Sequence, residues 1–126
     1  MYNEQMIQEL RKRWNALQQA LAREGGDAIL ITTNVNLFYV SGRIFSGAAY
    51  VHPEGDPLFF VRRPVGLKGG NVIYIRKPEE IAGHLQQRGI PMPAKLFLET
   101  DSISYNEYRR YEKIFDPRVV CNGTQL

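Results

Sequence analysis

Reactive side chains are scarce in this sequence: 126 residues hold one cysteine, two histidines and one tryptophan. Cys121 stands alone, which excludes an intramolecular disulfide and a cysteine-based metal site, and no partner pattern marks its thiol as a nucleophile. His52 lies beside Pro53 in a turn-rich segment, and neither it nor His84 has a second histidine at ligand spacing. No apolar run reaches the length that spans a membrane, and Glu4 and Glu9 interrupt the N-terminal apolar residues where a signal peptide would be continuous. A cytoplasmic address with no membrane partner is the expectation. Charge of one sign is also scarce: sixteen basic against thirteen acidic residues give +3, and Arg62-Arg63, Arg76-Lys77 and Arg109-Arg110 are scattered pairs that read as solvated edges. No nucleic-acid partner is expected from them. Gly66, Gly69 and Gly70 precede a strand pattern, whereas a phosphate cradle needs glycines leading into a helix. Internal repeats and low-complexity segments are lacking too.

What is present is enough for one folded domain over residues 1–126, with 44% hydrophobic content. Ile7, Leu10, Trp14, Leu17 and Leu21 recur at three and four spacings, predicting an amphipathic helix that Asn3 opens and Gly25-Gly26 ends. The unbroken apolar run Ala28 to Ile31 reads as a strand buried on both faces. Asn34 and Asn36 then mark a polar turn, and Leu37 to Val40 predict one short helical turn stopping at Gly42. Residues from about Ala48 to Arg62 form a β-hairpin around Pro53-Glu54-Gly55-Asp56-Pro57. A glycine-rich connection, a strand over Val72–Ile75, a helix opened by Pro78 and ended by Gly89, and a strand over Lys95–Glu99 follow. Ser104 and Glu107 fit a capping box for a helix burying Tyr108, Tyr111 and Phe115, which Asp116-Pro117 ends before a last strand at Arg118–Cys121. This order implies an α/β fold, with helices on both faces of a mixed sheet.

The leading helix comes first, then Gly25 to Gly42 with Asp27, Asn36, Tyr39, Ser41 and Gly42 in this order, then a hairpin ending Gly55-Asp56-Pro57-Leu58-Phe59-Phe60-Val61. Together they resemble the creatinase/prolidase N-terminal domain. The resemblance implies a three-layer α/β/α sandwich with a mixed five- to six-stranded, ribonuclease-H-like sheet. It also implies a non-catalytic domain that shapes the active-site cleft and the homo-oligomer contacts of a metal-dependent hydrolase, an Xaa-Pro aminopeptidase or dipeptidase. The divalent metal (manganese, cobalt or zinc) would belong to a C-terminal catalytic domain of the same parent chain, with no cofactor in this domain. The tail from Cys121 to Leu126 resembles the start of the linker to that domain, so the chain is either an excised domain or a natural stand-alone copy. Asn36, Tyr39 and Arg43, at the carboxyl end of the first strand, are the candidate cleft-edge residues, with Arg43 reaching a peptide carboxylate.

Other readings from the residues are a nuclease, a stand-alone nucleic-acid-binding or regulatory α/β module, and an enzyme acting alone; the docking role itself calls for an exposed apolar or aromatic patch. Asp27, Glu99 and Asp101 would be the carboxylates of a magnesium-dependent nuclease, but Asp27 starts one strand and Glu99 ends another. Arg62, Arg63 and Lys68 with Phe59 and Phe60 would serve a stand-alone nucleic-acid-binding module. Phe45, Tyr50 and Tyr105 are candidates for an exposed contact patch. Asn122-Gly123-Thr124 is a formal glycosylation acceptor that reads more simply as a turn.

Overall fold

The computed structural model describes residues 4–69, 71–115 and 119–122. Helix α1 (Glu4–Arg23) buries Leu10, Trp14, Ala20 and Leu21. Ile7, expected in the same stripe, is instead partly exposed, one turn beyond the edge of the core. The chain leaves α1 through Gly25, at a φ of 66°, and Gly26 packs so closely on Phe97 that a Cβ there would overlap its ring. Strand β1 (Ala28–Ile31) is buried along its whole length.

Helix α2 (Asn34–Ser41) follows at once, two turns where one short turn was expected. Strands β2 (Ser46–Val51), β3 (Leu58–Arg63) and β4 (Val72–Tyr74) come next, then α3 (Glu80–Gln87), β5 (Lys95–Leu98), α4 (Tyr105–Ile114) and β6 (Val119–Asn122). The six strands lie in the order β4-β3-β2-β1-β5-β6. Only β2 runs against the rest: it is antiparallel to β1 and β3, while β4 is parallel to β3, and β5 and β6 continue parallel to β1.

Alternation along β1 divides the core. Ala28 and Leu30 face a cluster that includes Phe60, Ile81, Leu85, Tyr111 and Phe115, whereas Ile29 and Ile31 face Leu10, Trp14, Leu37 and Val40. Helices α1 and α2 therefore cover one face and α3 and α4 the other, which is the expected three-layer sandwich. Among the described residues, no helix is long and apolar enough to cross a membrane.

Central strands change the meaning of four aromatic residues. Phe45 and Tyr50 are buried, so of the expected contact patch only Tyr105 is exposed. Phe59 and Phe60 are buried as well, on opposite faces of β3, and present no ring for a base to stack on. The Asn3 cap, the Asp116-Pro117 stop, the tail beyond Asn122 and most of the Asn122-Gly123-Thr124 sequence lie outside the described residues.

Candidate functional site

Strands β1, β3, β4 and β5 all point toward one edge of the sheet, and β2 starts there. Helices α2, α3 and α4 each begin at this carboxyl edge, where open α/β sheets bind ligands on free backbone N–H groups. Here glutamates of the chain itself bind the backbone of the turns that lead into these helices. Glu99, just past β5 and 3% exposed, accepts the N–H of Thr32 at 2.7 Å and of Thr33 at 3.0 Å on Oε1. Its Oε2 accepts the Thr33 hydroxyl at 2.7 Å and Asn36 Nδ2 at 2.6 Å. Thr33, the N-cap of α2, makes no side-chain cap bond of its own; a carboxylate 66 residues away in sequence instead holds the turn that leads into the helix and places a negative charge at its positive end.

The other two helix starts are closed locally. Glu80 Oε2 accepts the N–H groups of Arg76 and Lys77 at 2.8 and 3.0 Å, and these two bonds hold its carboxyl below the usual carboxylate range. Ser104 and Glu107 form both halves of a capping box on α4. A carboxylate therefore stands beside each of the three helix starts.

Of the three cleft-edge candidates, Asn36 and Tyr39 line one cleft between α1 and α2, and Arg43 lies elsewhere. Asn36 is bonded to Glu99. Tyr39 is half-exposed beside a cleft of about 390 Å³ between α1 and α2; its carbonyl accepts Arg13 Nη1 at 2.7 Å and the same guanidinium lies 4.6 Å from its ring centre. Arg43 faces another hollow, with Nη1 donating to the Lys68 carbonyl at 2.9 Å. Asp27 is at the opposite edge, where Oδ2 accepts the N–H groups of Ala94 and Lys95 at 2.8 and 2.9 Å. The parallel register of β1 and β5 separates it from Glu99 by the length of the strands, so the three carboxylates of the nuclease reading are not assembled. Among the described residues, no three histidine, cysteine, aspartate or glutamate side chains could hold a metal ion together.

What the carboxyl edge does expose is apolar. Val35 is 79% exposed, Phe38 50% and Ile44 82%, and they line one open groove of about 640 Å³ with Phe45, Arg63 and Pro64. Helix α2 turns Leu37 and Val40 inward and Val35 and Phe38 outward. The sequence signal for this patch is an eight-residue helix that is apolar on both sides, which leaves one side uncovered in a lone domain. Gly42, at a φ of 70°, donates its N–H to Phe38 O at 2.7 Å and ends the helix.

The model of the creatinase/prolidase N-terminal domain matches residues 13–125. No curated protein sequence is significantly similar to the chain. Among solved structures, the creatinase/prolidase N-terminal domain of an X-Pro dipeptidase from Streptococcus pyogenes is 17% identical with a TM-score of 0.75, covering 90% of this chain and 95% of that one. The N-terminal domain of the cytoplasmic peptidase PepQ from Mycobacterium tuberculosis H37Rv is 22% identical with a TM-score of 0.66, covering 87% and 89%. An Xaa-Pro dipeptidase from Bacillus anthracis is 18% identical with a TM-score of 0.69; the match covers 90% of this chain and 34% of that one.

Proposed function

The chain belongs to the creatinase/prolidase N-terminal domain family, and on that premise we propose that it is a non-catalytic docking domain of a metal-dependent Xaa-Pro peptidase. It packs against the catalytic domain of its parent, shapes one rim of the cleft and takes part in subunit contacts. The observation that carries this reading is the exposed apolar groove of Val35, Phe38 and Ile44, beside helix starts whose leading turns are held by Glu99, Glu80 and Glu107. Covering the three side chains would contribute roughly 3 to 5 kcal/mol to association. Tyr39 and Arg43 serve as rim groups, Arg43 toward a peptide carboxylate, and Asn36 positions α2 through Glu99. The manganese, cobalt or zinc ion and the water it activates belong to the catalytic domain.

The test pairs this chain with the catalytic domain of the proposed parent, expressed separately, and measures association by calorimetry. Phe38→Glu and Ile44→Glu each weaken association at least roughly tenfold, as expected for a charge placed in an apolar contact, and leave unfolding unchanged. Unaltered affinity in both variants, or hydrolysis of an Xaa-Pro dipeptide by this chain alone with added manganese, would overturn the reading.

A further inference from the structure

The amino edge of the sheet, opposite the docking groove, holds a separate cavity of about 350 Å³, within the size range of small-ligand sites. Tyr50 lines it while being only 1% exposed. Its hydroxyl makes no hydrogen bond with any described residue, and no sealed side-chain oxygen among those residues lacks a partner, which fits a hydroxyl open to the cavity that Tyr50 lines. An unpaired phenol at the floor of a hollow is costly unless water or a ligand reaches it.

The surrounding groups select the charge of that ligand. Asp27 uses Oδ2 for the Ala94 and Lys95 N–H groups and has Oδ1 left over, while Glu54 adds a second carboxylate to the lining. Burial lowers the affinity of His52 for its proton, so the imidazole does not set a positive charge against them at neutral pH. Lys95 is turned away, its Nζ bonded to the Glu24 carbonyl at 2.6 Å. Ile90, Met92 and Pro93 form an apolar wall. We infer that this cavity binds a small organic ammonium, its N–H groups donating to Tyr50 Oη and Asp27 Oδ1 and its hydrocarbon body lying on the wall. An organic anion of the same size is repelled by the two carboxylates.

Amide chemical shifts of the whole chain, titrated with benzylammonium and in parallel with benzyl alcohol, test this. Benzylammonium should produce saturable shifts at Tyr50, His52 and Ile90 to Ala94, with benzyl alcohol far weaker. Tyr50→Phe, which removes only the hydroxyl, should weaken binding roughly tenfold. Glu54→Gln, at an exposed position and safe for the fold, should weaken it severalfold. Equal shifts with the two probes, no saturable shift, or unchanged binding in Glu54→Gln together with a folded Tyr50→Phe would overturn the inference.

Discussion

Replacing Glu99 with alanine removes four hydrogen bonds at once and leaves the Thr32 and Thr33 N–H groups and Asn36 without their acceptor. The expected loss is about 3 kcal/mol, read as a lower urea midpoint. Nothing near Glu99 in sequence announces this role: as the last residue of an apolar strand it reads as a solvated end, and its partners lie more than 60 positions away. The Ser104–Glu107 box, by contrast, is legible because both of its halves are local. Glu79 makes a separate, pH-dependent contribution. Its hydrogen bonds to Arg110, at 2.6 and 2.7 Å, lower its carboxyl from 4.5 to about 2. A carboxyl depressed in the folded state stabilises the fold above the unfolded value and loses that contribution as the pH falls from 4.5 toward 2. Both partners are nearly half-exposed, so solvent screening keeps the effect small. In Glu79→Gln, the decline of the urea midpoint between about pH 5 and about pH 2.5 should be shallower than in the parent chain, a modest change of the size solvent-exposed pairs give.

At the scale of elements, α2 is where sequence reasoning fell short. Its apolar residues run through Leu37, Phe38, Tyr39 and Val40 without a polar face, so periodicity gives no helix length. The helix starts after the turn that Glu99 holds and stops at Gly42, and it is clamped to α1 by Trp14, whose indole N–H donates to the Val40 carbonyl at 2.7 Å in the core. Trp14→Phe keeps most of the packing but orphans that carbonyl, and should cost about 2 kcal/mol in urea unfolding. The strands were legible because each is a short apolar run between turn residues. Which aromatic side chains they bury was not, because Tyr50, Phe59 and Phe60, and Phe45 just before β2, depend on the placement of β2 and β3 inside the sheet.

On the scale of the whole molecule, the two edges of the sheet have different characters. The carboxyl edge carries a carboxylate beside each of three helix starts and exposes Val35, Phe38 and Ile44; the amino edge holds the cavity over Tyr50. Sequence order alone was enough to indicate the three layers, since helices alternating with parallel strands must cover both faces. The placement of the apolar groove needed the fold, which joins the outer side of α2 to Ile44 and Pro64. The most direct measurement is amide hydrogen exchange on this chain with and without the catalytic domain of the proposed parent, expressed separately. The account predicts protection concentrated in α2 and in residues 43–46 and 63–65. Protection confined to the outer side of α1 or to the amino edge, with α2 unchanged, would contradict it.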